Sequence, residues 1–136
     1  VARAEVERRA IEAVLEAEYQ LGWQAEDLNE AHRNHPGYDV RSRKAGTDGG
    51  LGDVKFIEVK GRILGAPTVT VSRNEILTAL NEPDHFLLAL VEVSPEGTDT
   101  VRYLRRPFEG RTEEFVFDVT SVNFTWSALW ERATPP

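Results

Sequence analysis

The chain has 136 residues, 40% of them hydrophobic and 29% charged, which suits one domain with its own core and leaves little room for a second. It contains no cysteine, so a disulfide scaffold, a zinc ribbon and a cysteine nucleophile are excluded, and no apolar run approaches the ~20 residues of a transmembrane helix. The net charge of −7 argues, taken alone, against a nonspecific nucleic-acid binder, which is usually basic.

The stretch from Val1 to Arg9 is polar and helical in character, so no signal peptide is expected at this start and the cytoplasm is the expected location. The chain begins at Val1 and contains no methionine, which points to a segment of a longer protein. Residues 4–21 read as a helix, with Ile11, Val14, Leu15 and Leu21 as an apolar stripe and Gly22 as its stop. Glu7 and Glu18 fall on that stripe, whereas Glu12 and Glu16 fall off it. Residues 23–36 are polar and end in a His-Pro-Gly turn.

Strand-like runs are expected at 38–43, 54–63 and 68–72, read as a three-strand meander, with a glycine-rich hairpin loop joining the first two. Ser72 with Glu75 has the form of a capping box opening a short helix to about Leu80, and the place of Glu75 after the third strand could put it near a site. The near-continuous apolar run 86–93 suits a central strand covered on both faces. The helix between 68–72 and 86–93 would make a crossover. Further strands are expected at 101–104 and 115–119, and a last helix at 126–132. The order describes an α/β or α+β arrangement with a mixed sheet.

The most informative stretch is Gly37-Tyr38-Asp39-Val40 followed by Glu58-Val59-Lys60. Glu58 and Lys60 stand two apart on a strand and project from one face, while Ile57 and Val59 project from the other. If 38–43 and 54–63 are sheet neighbours, Asp39 lies beside them. Two carboxylates and an ammonium converging at a sheet edge suit a divalent cation, because Mg²⁺ prefers hard oxygen donors and keeps several waters. Such a set fits hydrolysis of a phosphodiester by water, with the ion and the lysine stabilising developing charge. The bland alternative is a salt bridge on an exposed strand face. Residues 39–62 hold six basic residues against four acidic ones. A locally basic face on an acidic domain would draw on Arg41, Arg43 and Arg62; a solvated mixed surface is the simpler reading.

The Asp, spacer, Glu-x-Lys pattern resembles the signature of the PD-(D/E)xK, restriction-endonuclease-like superfamily, with Tyr38 where the signature has proline. Glu7-x-x-Ala10, Gly37 to Val40, Phe56 to Arg62, Ser72 to Glu75 and the 86–93 strand together resemble the NO VEIN C-terminal type domain. That family has no assigned activity and is often found at the end of helicase-like proteins. The resemblance covers about residues 5 to 108. It implies an α/β fold with a mixed sheet flanked by helices, a candidate Mg²⁺ or Mn²⁺ site, and a helicase-like parent acting on nucleic acid, DNA first. It further implies that Asp39 and Glu58 hold the ion with the Val59 carbonyl as third ligand, and that Lys60 orients water and stabilises the transition state. A glutamate of the first helix is a further metal ligand in many superfamily members. Glu7 fits the family motif best and Glu18 is the alternative; otherwise each meets an arginine. A homodimer is one expected assembly, since cutting both strands takes two sites.

The glycine loop 46–52 lacks a Gly-Lys-Ser/Thr ending and is no P-loop. His32, His35 and His85 have no metal-ligand spacing. Arg102, Arg105 and Arg106 are read as an edge strand's solvated face rather than phosphate contacts. Two functions therefore compete. One is a metal-dependent nuclease domain. The other is a noncatalytic nucleic-acid-binding or protein-docking module of the same fold.

Overall fold

A computed structural model of the chain describes residues 2–31, 37–44, 53–110 and 119–136. Its elements are α1 (Arg3–Gln20), β1 (Trp23–Asp27), α2 (Leu28–Ala31), β2 (Val40–Lys44), β3 (Val54–Ile63), β4 (Thr68–Ser72), α3 (Arg73–Asn81), β5 (Phe86–Val93), β6 (Thr100–Arg105), β7 (Ser121–Thr125) and α4 (Trp126–Arg132). Five strands form one sheet in the order β1-β2-β3-β5-β6, and β4 pairs with β7 in a second. Within the larger sheet β3 and β5 run parallel and every other pair is antiparallel, so the sheet is mixed, as expected.

The alternation along β5 explains the layering. Phe86, Leu88 and Leu90 point into a core shared with β4, β7, α3 and α4. Leu87, Ala89, Val91 and Val93 point into a second core beneath α1. Apolar residues on both faces bury every position of the strand except the half-buried Glu92, which is what the near-continuous run dictated. The capping box also forms as expected: Ser72 Oγ accepts the Glu75 N–H, and Glu75 accepts the Ser72 N–H.

Four expectations are corrected. The run at 68–72 is not the third strand of a meander, because the turn at Leu64 and Gly65 (φ +92°) takes the chain out of the sheet and β4 pairs with β7 instead. The crossover therefore joins β3 to its parallel neighbour β5, with β4 and α3 inside it. The polar stretch after Gly22 contains β1, an edge strand that alternates half-buried and exposed positions, and the single turn of α2. On α1 the buried positions are Val6, Ala10, Val14 and Glu18; Ile11 and Leu15 are half-buried, and Glu7 and Leu21 are exposed. The i, i+4 row of small residues lies deepest because the helix comes very close to β3. β7 was not anticipated, and the strand expected at 115–119 lies almost wholly outside the described residues. No helix among the described residues is long and apolar enough to cross a membrane.

Gly61 sets how closely α1 approaches. A Cβ built there would stand 2.5 Å from the Ala10 Cβ and 3.2 Å from the Val6 carbonyl oxygen. Gly61→Ala is therefore expected to cost about 1–3 kcal/mol through overpacking, read as a lower midpoint in thermal denaturation. An unchanged midpoint would contradict the close helix–strand contact.

Candidate active site

The site is built where β2 and β3 part. Val40 and Ile57 are the last residues paired across the two strands. The Asp39 N–H still donates to the Ile57 carbonyl at 2.9 Å. The Asp39 side chain then takes the place of the next backbone acceptor: its Oδ2 receives the Val59 N–H at 2.9 Å. Its Oδ1 receives Asn29 Nδ2 at 3.1 Å, and its carbonyl receives the Leu28 N–H at 2.9 Å. An aspartate that interrupts a strand thus fixes its own carboxylate at the end of a ladder. Beyond Ile57, β3 pairs with β5 on one side and with no strand on the other among the described residues.

Glu58, Lys60 and Arg62 follow one another along one face of that free stretch. With Asp39 and Glu75 they line a cleft of about 990 Å³ between α1, β3 and β4. Glu58 is 2% exposed. Its Oε2 lies 3.2 Å from Lys60 Nζ, while its Oε1 is buried and accepts no hydrogen bond among the described residues. Lys60 Nζ reaches Glu75 Oε1 at 2.9 Å as well. Burial, then the neighbouring Asp39 charge, push the Glu58 carboxyl well above the ordinary carboxylate range. For Lys60 burial acts downward, but the Glu58 and Glu75 carboxylates outweigh it and hold the ammonium above its usual value. For Glu75 burial acts upward and is outweighed by Lys60 and the Ser72 N–H, which leave it lower than usual.

A buried carboxylate oxygen that accepts no hydrogen bond from the described residues, beside a second carboxylate, is an unfavourable arrangement. A cation relieves both defects, and the donor set is the hard-oxygen kind that Mg²⁺ and Mn²⁺ accept. Among the described residues no three of His, Cys, Asp and Glu converge to hold an ion by themselves. An ion here would rest on Asp39 and Glu58 with backbone and water oxygens.

The remaining candidates divide. Glu7 lines the same cleft from α1, with its side chain 64% exposed and paired with Arg3 at 3.3 Å. Glu18 lies elsewhere, fully buried, and accepts from Ser42 Oγ at 2.7 Å, Tyr103 Oη at 2.7 Å and Lys55 Nζ at 3.1 Å. Of the two helix glutamates, one meets an arginine and the other a lysine. Arg62 lines the cleft and makes no hydrogen bond or ion pair among the described residues; its Nε is buried. Arg41 and Arg43 lie outside the cleft, Arg41 paired with Glu26 at 3.2 Å and Arg43 exposed. Arg102 donates to the Trp130 carbonyl and stacks on its ring, and Arg106 pairs with Asp84 and Glu109. His85 meets Glu82, and His32 and His35 lie outside the described residues. Glu75, read first as a helix cap whose position could bring it near the site, both caps α3 and reaches Lys60.

One consequence is measurable in the metal-free chain. A carboxyl whose folded pKa is raised stabilises the fold below its ordinary value of 4.5, and that contribution is lost as pH rises through the folded value. Glu75 shifts the other way, and Lys60, raised from an ordinary value of 10.5, changes only at much higher pH, so the clean readout is a difference. The melting temperature of Glu58→Gln minus that of the unaltered chain is expected to be smallest at or below the ordinary value of 4.5 and to widen as pH rises above it. A gap that stays flat or narrows would contradict the burial of an ionisable Glu58.

The family model described as Protein NO VEIN, C-terminal, matches residues 6–104. Among solved structures, the Holliday junction resolvase Hjc of Archaeoglobus fulgidus superposes with a TM-score of 0.58 at 17% identity, over 94% of each chain. At that identity the match shows the fold, which is restriction-endonuclease-like. No curated protein matches the sequence.

Proposed function

The chain belongs to the Protein NO VEIN, C-terminal family, and we propose that its cleft is a divalent-metal-dependent nuclease site that hydrolyses phosphodiester bonds in nucleic acid, DNA first. The observation that supports this most is the buried Glu58 Oε1, which accepts no hydrogen bond among the described residues, in a cleft beside Asp39 and Lys60. Asp39 and Glu58, with the Val59 carbonyl, would hold Mg²⁺ or Mn²⁺, and Glu7 would reach the ion only by leaving Arg3. When bound, the ion supplies Lewis-acid stabilisation of a phosphoryl oxygen. Lys60 presents an ammonium at the same place, where it orients the attacking water and offsets negative charge as the phosphorus centre gains its fifth oxygen. Arg62, one step further along β3, is placed to take a neighbouring phosphate with a guanidinium that has no competing partner among the described residues. Arg41 and Arg43 would meet backbone phosphates outside the cleft.

The net charge of −7 means that the domain lacks the electrostatic attraction behind most nonspecific nucleic-acid affinity. A helicase-like parent chain, acting in the cytoplasm, would then deliver the substrate, and a second copy would be needed where both strands are cut. The test is incubation of the purified domain at low salt with Mg²⁺ or Mn²⁺ and single-stranded, double-stranded and branched DNA and RNA. Cleavage of at least one is expected. If all stay intact with both ions, and no ion binds at millimolar concentration, the noncatalytic docking module replaces the enzyme.

A further inference from the structure

We propose that Glu75 is a positioning residue for Lys60, holding the ammonium in the cleft once Glu58 is committed to a cation; the catalytic part of this rests on the nuclease reading. A lysine side chain is a flexible stem ending in a point charge, so its placement depends on what grips the nitrogen. Lys60 Nζ is gripped from two separate elements, by Glu58 of β3 at 3.2 Å and by Glu75 of α3 at 2.9 Å. The two grips differ in permanence. Glu58 neighbours Lys60 on the same strand and is the carboxylate a cation would claim. Glu75 is tied down independently, because its Oε1 also accepts the Ser72 N–H at 2.9 Å and its own N–H donates to Ser72 Oγ at 3.1 Å. The backbone N–H of Ser72, which Ser72→Ala keeps, therefore anchors the anion that anchors the lysine.

Charge gives the same conclusion. Asp39, Glu58 and Glu75 set three carboxylates against the single ammonium of Lys60. A divalent cation brings that set to neutrality before any phosphate enters. Without the Glu75 charge, the loaded cleft would carry an excess positive charge and a lysine free to swing toward solvent or toward the incoming phosphate in its ground state. Substrate would then bind at least as well, while the chemical step would lose a correctly placed charge.

Two substitutions separate this role from helix capping. Glu75→Gln keeps an amide oxygen for the Ser72 N–H but removes the anion. Ser72→Ala removes the hydroxyl cap and leaves the anion. The chain has three lysines, so ¹⁵N-lysine labelling gives a tractable side-chain ammonium spectrum, recorded with millimolar Mg²⁺ so that Glu58 is engaged by the ion. The Lys60 signal is expected to be restricted and slow to exchange with water in the unaltered chain and in Ser72→Ala, and to lose both properties in Glu75→Gln. In cleavage assays Glu75→Gln is expected to lower kcat ~10–100-fold with KM unchanged or lower. Ser72→Ala is expected to lower the melting temperature and leave kcat as it was. An unchanged Lys60 signal in Glu75→Gln, or an equal loss of kcat in Ser72→Ala, would overturn the proposal and leave Glu75 a helix cap. If the unaltered chain cleaves nothing, the nuclease reading fails, and the ammonium spectrum still decides whether Glu75 holds Lys60.

Discussion

Lys60→Ala is expected to lower metal-dependent cleavage ~10²–10³-fold, the usual cost of losing one group aimed at developing charge. The fold should survive. Lys60 does not belong to either hydrophobic core, and the two carboxylates it leaves behind do not face each other as bare charges. Burial keeps the Glu58 carboxyl protonated to a higher pH than usual, while Glu75 retains the Ser72 N–H. The signature of the proposed role is a fall in kcat at constant melting temperature and constant affinity for the ion. A variant that cleaves as fast as the unaltered chain would remove Lys60 from the chemistry. A variant that unfolds would show that its contacts are structural.

Glu18→Ala is expected to have the largest effect on stability, and none on cleavage beyond what unfolding causes. Glu18 is fully buried between Ser42, Lys55 and Tyr103. Burial, then the bond to Glu18, push the Tyr103 hydroxyl pKa far up, so it remains a donor. Lys55 is itself only 12% exposed at the side chain and lies 4.0 Å from the centre of the Trp23 ring. Removing the carboxylate leaves an ammonium and two hydroxyls without their acceptor. Breaking a buried pair in this way costs about 3–5 kcal/mol, or roughly 10–15 °C in melting temperature for a domain of this size. Replacing both charges together, as Glu18→Leu with Lys55→Met, should recover most of the loss. A single variant within 1 kcal/mol of the unaltered chain by denaturant titration would contradict the account of this network.

Lys60 and Glu18 show what a sequence displays and what it withholds. Asp39, Glu58 and Lys60 were legible because a strand's period of two puts Glu58 and Lys60 on one face, and because an aspartate inside a strand-like run needs a reason. The capping box and the doubly covered β5 were legible for the same kind of cause, a local pattern with a short range. Glu18 and Glu7 looked alike because both sat on a plausible helical stripe. What separates them is Lys55, 37 residues away and brought in by the β2–β3 register. The true buried row of α1 was hidden because its spacing is set by Gly61, a residue of another element. β1 was missed because an edge strand with polar outward positions carries almost no hydrophobic alternation. The second contact of Glu75 depends on where α3 lands beside β3, which no pattern within residues 72–75 encodes.

The central claim is that Asp39 and Glu58 share a divalent cation. The most direct measurement is an anomalous difference map from crystals grown with millimolar Mn²⁺, taken on the unaltered chain and on Asp39→Asn, which keeps an oxygen for the Val59 N–H but removes the charge. The account predicts one strong peak between the Asp39 and Glu58 carboxylates in the first and its loss in the second. No peak there in the unaltered chain, or the same peak in Asp39→Asn, would contradict it.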